Sequence, residues 1–297
     1  ETGYVVFSPM GSRIHPYFSL ESHPHTDSYE ETIEKTSFLL QSAVQRQMIS
    51  DVPICTFLSG GIDSSVVSSI CSAVLRQKGE RLCTYSFDFT GNDKYFQANS
   101  FQPSQDRPYV EKMVKYLQSD HQYLQCSCED QADLLEDSVK AHDLPAMADV
   151  DSSMLYFCRI VSKQHKVVLT GECADEVFGG YPWFHREEFL KGGTFPWTPT
   201  LDPRKNLLSK ELRELLRMEE YVQDTYNRAL MDITPLPEEN ETETNRRQIG
   251  YLNIRFFMQT LLTRMDRTSM YSGLEARVPF ADPKLVSYVY NLSLIHI

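Results

Sequence analysis

No segment of the 297-residue chain is long and apolar enough to form a membrane-spanning helix, so no membrane partner is expected. Positive charge is scarce: 29 lysines and arginines stand against 41 aspartates and glutamates, giving a net charge of −12. Nucleic-acid-binding proteins carry clustered lysine and arginine, so this composition argues against a nucleic-acid partner. The sequence shows no internal repeat and no low-complexity segment. It is typical of an acidic globular protein.

The seven cysteines form no recognisable disulfide or metal-binding pattern. Their number is odd, their spacing is irregular, and several fall in apolar runs. Cys126-x-Cys128 alone is too sparse for a zinc site, which needs further cysteine or histidine ligands at set spacings. We therefore predict reduced, buried thiols and a cytoplasmic location.

The most informative stretch is Ser59–Ser65, with the sequence Ser-Gly-Gly-Ile-Asp-Ser-Ser. The apolar run Val52–Leu58 before it predicts a strand, and the amphipathic run Ser64–Leu75 predicts a helix. Gly60 and Gly61 allow a sharp bend and let backbone amides approach a bulky anion, while the helix directs its free N–H groups and positive dipole end to the same place. Hydroxyl groups add further donors, from Ser59, Ser64 and Ser65. We interpret this loop as a phosphate cradle.

This cradle differs from a Walker loop, because it has no lysine to reach the terminal phosphates. An aspartate, Asp63, stands there instead, and it would repel phosphate unless a cation lay between them. Asp63 therefore predicts Mg²⁺ held jointly by carboxylate and phosphate oxygens. The alternative is an ordinary strand–helix turn with Asp or Ser as a cap.

A second acidic turn, Thr170–Tyr181, directly follows another short apolar strand. Its residues Glu172 and Asp175 are three apart and share one face of a helical turn. We predict that Asp175 completes a two-carboxylate Mg²⁺ site with Asp63 and that Glu172 faces whatever group lies beside the α-phosphate of a nucleotide. The alternative is that acidic residues simply favour the first turn of a helix.

The order of elements predicts an α/β fold. Strands are predicted at 52–58, 82–89, 122–124 and 166–170, with helices at 64–75, 108–117, 131–141 and 151–164 between them. Such alternation is typical of a parallel sheet with helices on both faces, which binds ligands beyond the carboxyl ends of its strands. If the strands before the two motifs are neighbours, both turns face one crevice.

The ends of the chain differ from this pattern. Residues 1–27 hold a strand, Tyr4–Phe7, and a polar stretch, and we interpret them as the tail of an upstream domain plus a linker. A helix is expected at 28–48, with Ser28 and Glu31 at capping-box spacing. A long loop is expected at 91–107. Helices at 207–230 and 246–270 predict a largely helical C-terminal cap, so that 28–297 forms one domain.

These motifs resemble those of the ATP pyrophosphatases that form adenylates, which include asparagine, GMP and argininosuccinate synthetases and thiolation enzymes. Asp51-Val52-Pro53 and the long second turn are similar to glutamine-hydrolysing asparagine synthetases in particular. Further similar segments follow at 143–156 and 264–282. From its residues alone, the second segment is predicted to be a polar turn joining two helices, with charge pairing expected among Asp266, Arg267, Glu275 and Arg277. The resemblance implies a five-stranded parallel, doubly wound sheet of the adenine nucleotide hydrolase-like type.

The resemblance also implies a reaction. Aspartate would attack the ATP α-phosphorus to give β-aspartyl-AMP and pyrophosphate, and ammonia would then displace AMP to give asparagine. By position, four residues would contact adenosine: Leu58, Phe87, Thr170 and Gly171. Glu172 would lie near the adenylate. ATP and Mg²⁺ are the implied cofactors, and a glutaminase domain is the implied partner in the full-length protein.

Several positions depart from the family pattern. Thr170 replaces the usual serine, and Cys173 replaces a glycine; we interpret Cys173 as packing rather than as a nucleophile. The family's catalytic N-terminal cysteine is not at position 1, and a family lysine well beyond the Arg-Val-Pro-Phe segment has no counterpart. We expect the fragment to bind ATP and to turn over poorly.

Three rival functions remain open from sequence. A β-lactam synthetase or peptide cyclase would share both turns and differ in its acyl substrate. A non-catalytic ATP-binding module would lack turnover altogether. A nucleic-acid-modifying ligase would need a basic face that the sequence does not show. A homodimer is also left open.

Overall fold

A computed structural model of the chain describes residues 3–98, 104–190, 193–237 and 239–292. These residues form two compact units. The sheet unit comprises Lys35–Ala174 and Met258–Asp282, and the helical unit comprises the described residues of 1–34, 175–257 and 283–297. Within the described residues, no helix is long and apolar enough to cross a membrane.

The described strands and helices have the following bounds. The strands are β1 Gly3–Ser8, β2 Gly11–Pro16, β3 Ile54–Phe57, β4 Cys83–Phe89, β5 Asp120–Cys126, β6 Val167–Leu169 and β7 Glu275–Arg277. The first helices are α1 Tyr29–Gln47, α2 Ile62–Gln77, α3 Asn92–Tyr95, α4 Arg107–Leu117, α5 Cys128–Asp133, α6 Leu135–His142 and α7 Ala148–Val161. The later helices are α8 Ala174–Phe178, α9 Asp202–Lys205, α10 Lys210–Leu216, α11 Met218–Met231, α12 Glu241–Leu252, α13 Met258–Tyr271 and α14 Pro283–Tyr290.

Strands β3 to β7 form one parallel sheet in the order β5-β4-β3-β6-β7. The chain moves outward from β3 through β4 to β5, then returns to the other side of β3 at β6. Such a reversal is the topological switch point at which open α/β sheets bind ligands. The predicted five-stranded, parallel, doubly wound sheet is confirmed.

Alternate residues of β3 pack against helices on opposite faces of the sheet, as strand geometry requires. Cys55 and Phe57 belong to a buried cluster that includes residues of α7 and α13. Between them, Thr56 points the other way, and its Oγ1 lies 2.8 Å from Ser68 Oγ of α2. Because both faces are covered, β3 and β6 are wholly buried.

The helical unit packs around aromatic side chains. One cluster centres on Trp183, Phe184 and Ile249, and a second centres on Phe195, Tyr226 and neighbouring residues of α12 and α14. A π-helical turn, Asn253–Phe257, follows α12. The prediction that the second half of the chain is largely helical is confirmed, although α13 and β7 belong to the sheet unit.

The N-terminal strand is confirmed as half of an antiparallel hairpin, in which β1 pairs with β2. None of its residues is buried. The predicted capping box of α1 is also present: Ser28 N donates to Glu31 Oε2 at 2.8 Å, and Glu31 N donates to Ser28 Oγ at 3.3 Å. The proposed boundary between residues 27 and 28 stays a prediction.

Some predicted elements were wrong in extent. The helix expected at 131–141 is divided at Leu134 into α5 and α6, and the short strand at 122–124 extends over Asp120–Cys126. The loop expected at 91–107 contains α3, and its residues 99–103 lie outside the described part of the chain. The fifth strand, β7, falls in a segment that the sequence predicted to be a polar turn.

Candidate active site

The loops after β3 and β6 lie side by side, because the two strands are paired in register. Thr56 of β3 pairs with Leu169 of β6, so both strands end at the same level. A Cβ built on Gly171 would lie 2.6 Å from the amide nitrogen of Ser64 and 3.1 Å from Cβ of Asp63. The loop after β6 therefore runs directly against the first turn of α2, and only glycine allows that approach.

A second glycine brings α4 against the same loop. Gly60 has a φ of +82°, and a Cβ there would lie 2.7 Å from Cβ of Tyr109 and 2.8 Å from the amide nitrogen of Val110. Both the left-handed backbone and the close contact require glycine. The glycine-rich bend is therefore fixed from two sides.

Serines hold the bend closed from within. Ser64 Oγ accepts a hydrogen bond from Ser59 N and donates one to the carbonyl of Gly61, both at 3.2 Å. Ser59 Oγ accepts from Gly61 N at 3.3 Å and lies 3.0 Å from Ser64 Oγ. Ser64 is buried, whereas Ser59 is exposed and Ser65 is half-buried. An anion-binding role of the three hydroxyls stays a prediction.

The N-terminus of α2 opens onto this bend. Gly61 is its N-cap, with an extended backbone, and no side chain among the described residues caps it. The first-turn N–H groups of a helix have no partner within the helix and carry the positive end of its dipole. The bend and the helix together thus offer amide donors to an anion.

The loop after β6 carries an ion pair that the sequence did not reveal. Arg264 of α13 donates from Nη2 to Glu172 Oε1 at 3.2 Å and Oε2 at 3.5 Å. The Glu172 side chain is 22% exposed and that of Arg264 is 14% exposed. Thr170, just before, is buried; its N–H donates to the carbonyl of Arg277, and its Oγ1 accepts from Glu172 N. The Glu172 carboxylate is thereby held in one position.

The two hydrophobic residues predicted to contact adenosine lie on opposite sides of the sheet. Leu58 is fully buried among α4 side chains that include Val110 and Leu117. Phe87 is half-buried, and its ring stacks on Phe157 with centroids 4.3 Å apart. Contact of either residue with adenosine stays a prediction.

Asp175 is the second residue of α8 and belongs to the helical unit. Neighbouring atoms desolvate its carboxyl group and raise its pKa above the usual value, although part of the residue is exposed. The next residue, Glu176, is buried; its carboxylate accepts a hydrogen bond from Tyr181, and its carbonyl accepts one from Asn253 Nδ2 at 3.1 Å. Gly180 N donates to the Asp175 carbonyl at 3.0 Å.

Two arginines of the further motif segments also form ion pairs. Arg267 donates to Asp143 Oδ2 at 2.9 Å, and Arg277 donates to Glu275 Oε1 at 2.7 Å. The expected pairing of charges in the 264–277 segment is therefore confirmed for Arg277 with Glu275, while Arg267 pairs outside it. The Asp149 side chain, part of another motif segment, lies outside the described residues.

Cys173 is fully buried and has a φ of +76°. Non-glycine residues rarely adopt this left-handed backbone, which costs roughly 1–2 kcal/mol. The glycine that the family pattern predicts here is thus the residue that the backbone favours. The reduced, buried thiol is consistent with packing.

No group of three or more acidic, histidine or cysteine side chains within the described residues could hold a metal ion by itself. Mg²⁺ in nucleotide sites usually takes one or two carboxylates and completes its shell with phosphate oxygens and water. The oxygen donors of Asp63 and Asp175 suit this mode, since magnesium prefers hard oxygen ligands. Their joint binding of Mg²⁺ stays a prediction.

A doubly wound parallel sheet with a glycine-rich loop and a helix N-terminus at its switch point is typical of the α/β proteins that bind an anionic ligand at the carboxyl edge of the sheet. Comparison with known families narrows this class. The family model described as asparagine synthase matches residues 35–295, and the chain belongs to the asparagine synthase family. The family resemblance inferred from the motifs is confirmed.

Individual relatives agree with this assignment. The chain is 47% identical to asparagine synthetase [glutamine-hydrolyzing] 3 of Bacillus subtilis (strain 168) over 97% of its own length and 47% of the relative's. It is 32% identical to asparagine synthetase [glutamine-hydrolyzing] 2 of Oryza sativa subsp. japonica over 58% of the chain and 28% of that relative. The chain thus spans about half the length of the Bacillus relative and less of the rice one.

Proposed function

We propose that the chain carries out ATP-dependent amide formation: adenylation of the aspartate side-chain carboxylate, followed by attack of ammonia to give asparagine and AMP. The observation that supports this most is the contact of Gly171 with Asp63 and Ser64, which joins the two motif loops at the switch point. Membership of the asparagine synthase family supports the substrate class.

In this proposal each loop has a separate task. The amides of the Gly60–Gly61 bend and of the α2 N-terminus bind the pyrophosphate part of ATP, where oriented N–H groups favour the charge that develops on the leaving group. Glu172, held by Arg264, orients the groups around the α-phosphate. Mg²⁺, bound by Asp63 and Asp175, would neutralise phosphate charge.

The source of ammonia and the cellular location are part of the same proposal. Ammonia would come from a glutaminase domain of the full-length protein, as the names of the glutamine-hydrolysing relatives suggest. The location would be the cytoplasm, which the seven reduced cysteines support, because disulfides are rare in reducing compartments.

Calorimetric titration with ATP, with and without Mg²⁺, tests the nucleotide site. Gly60→Ala should weaken Mg·ATP binding at least tenfold, since the new methyl group displaces the loop from α4. Gly79→Ala is the matched control, because Gly79 has a similar φ of +76° but no atom within 4 Å of a built Cβ. Equal losses in both variants would mean that backbone strain alone, rather than the cradle, is responsible.

Pyrophosphate release tests the chemistry. Release that depends on aspartate, with asparagine formed when ammonium is added, supports the proposal. Release with another carboxylic acid from a panel would favour a β-lactam synthetase or peptide cyclase. Tight ATP binding with no release for any acid, in the chain and in the full-length protein, would favour a non-catalytic module.

A further inference from the structure

The Asp175 carboxylate fills the space that a side chain at residue 180 would need. A Cβ built on Gly180 would lie 2.8 Å from Cγ of Asp175 and 3.2 Å from its Cβ, with Oδ1 closer still. Real Cβ atoms do not approach other heavy atoms this closely, so any side chain at residue 180 must displace something. The absence of a side chain at 180 therefore determines where the Asp175 carboxylate can lie.

The chain returns to Asp175 by a tight turn. Helix α8 ends at Phe178, Gly179 has a φ of +70°, and Gly180 N then donates to the Asp175 carbonyl at 3.0 Å. This is the left-handed glycine that commonly ends a helix. It brings the backbone of residue 180 back over the first turn of α8.

Helix α8 is held in place on its other side. Asn253, fully buried in the π-helical turn, donates to the Glu176 carbonyl at 3.1 Å. Tyr181 donates to the Glu176 carboxylate, which is also buried. Because these bonds fix the backbone next to Asp175, a methyl group at 180 cannot push the helix away. The clash must be relieved by rotation of the Asp175 side chain.

We infer that Gly180 is a positioning residue, which fixes the orientation of the Asp175 carboxylate for its ligand. The inference rests on the proposed function, in which Asp175 binds Mg²⁺ together with ATP. A residue that orients a metal ligand typically affects metal affinity by about 10- to 100-fold. Gly180 would exert this effect without contacting the ion.

The test compares Gly180→Ala with Gly250→Ala, which lies in α12 of the same unit. Among the described residues outside its own helix, a Cβ built on Gly250 approaches only Phe184, at 4.0 Å. Mn²⁺ binding is measured by electron paramagnetic resonance in the presence of α,β-methylene-ATP, so no turnover is needed. We expect the Mn²⁺ dissociation constant to rise at least tenfold in Gly180→Ala and to stay unchanged in Gly250→Ala. Unchanged binding in Gly180→Ala overturns the inference.

A second pair of variants separates orientation from misfolding. In an Asp175→Ala background there is no carboxylate to displace, so adding Gly180→Ala should change neither Mn²⁺ affinity nor melting temperature further. If Gly180→Ala lowers the melting temperature equally in both backgrounds, the residue supports the fold rather than Asp175, and the inference fails. If Asp175→Ala itself leaves Mn²⁺ affinity unchanged, the proposed metal site fails first.

Discussion

The half-buried ion pair between Glu172 and Arg264 fixes a charged residue of the candidate site. A carboxylate that loses such a partner keeps its desolvation cost and gains rotational freedom. The pair therefore has two effects: it stabilises the loop after β6, and it fixes the direction in which Glu172 can act.

We predict that Arg264→Met lowers kcat/KM for asparagine formation by roughly 30-fold, equivalent to about 2 kcal/mol of transition-state stabilisation. The control is Arg267→Met, on the same helix, whose partner Asp143 is 84% exposed. An exposed pair contributes at most about 1 kcal/mol, so this variant should lose little activity. Equal losses in both variants, measured by steady-state kinetics, would contradict a specific role for Arg264.

Cys173 gives a prediction about backbone strain. At its φ of +76°, glycine has the lowest conformational free energy, an unbranched side chain has a higher one, and a β-branched side chain has a higher one still. Cys173→Gly should therefore change the free energy of unfolding by less than about 1 kcal/mol, whereas Cys173→Val should lose about 2 kcal/mol or more. Chemical denaturation measures both. If filling the core were the main role of Cys173, valine would be tolerated better than glycine.

At the level of elements, the edge strand β5 carries a half-buried histidine. His121 Nδ1 lies 2.7 Å from Thr84 Oγ1, its ring meets that of Tyr123 edge-on, and its Nε2 is buried without a partner among the described residues. Burial lowers the pKa of His121 from 6.5 to about 4. The folded chain therefore keeps this imidazole neutral at pH values where the unfolded chain binds a proton.

The free energy of unfolding should therefore fall in acid because of His121. The stability that neutral His121 contributes is fully present above pH 6.5 and is lost as the pH falls towards 4. The total loss is at most about 3 kcal/mol. His121→Gln should remove this part of the acid sensitivity. Urea unfolding of the two proteins at pH 7.5 and 4.5 measures it, and an identical acid loss in both would show that other groups are responsible.

Most strands were predictable from sequence. Strands β3 and β6 were found because central parallel strands form continuous hydrophobic runs, and β4 was found because its residues alternate and favour β structure. Strand β7 was missed, since it is a three-residue edge strand, Glu-Ala-Arg, whose charged side chains resemble a turn. The division of the 131–141 helix at Leu134 was missed because no glycine or proline marks it.

The two loops of the candidate site were predictable from sequence, but the tertiary contacts that they make were not. Spacing and residue type located Asp63, Glu172 and Asp175, because the two motifs are continuous in sequence. Arg264 lies 92 residues from Glu172, and several arginines in its segment are equivalent by pattern alone. Only packing of α13 against the sheet unit determines which arginine meets the carboxylate.

At the scale of the whole chain, the β1–β2 hairpin is a weakly integrated part of the described residues. Its two strands contain no buried residue, and one face presents exposed apolar side chains: Val5, Phe7 and Ile14. An isolated two-stranded hairpin is marginally stable in water at best. Such a hairpin is expected to contribute little to the stability of the chain and to offer apolar surface for self-association.

We therefore expect deletion of residues 1–16 to change the melting temperature by less than ~2 °C, about 1 kcal/mol for a chain of this size. Leu20→Ala is the comparison, because Leu20 packs against the buried Tyr226 cluster, and its loss should cost about 2 kcal/mol and lower the melting temperature more. Sedimentation velocity of the deletion variant tests the homodimer that the sequence left open. If the deletion variant dimerises as strongly as the intact chain, the self-association surface lies elsewhere, because the exposed apolar face of the hairpin is gone.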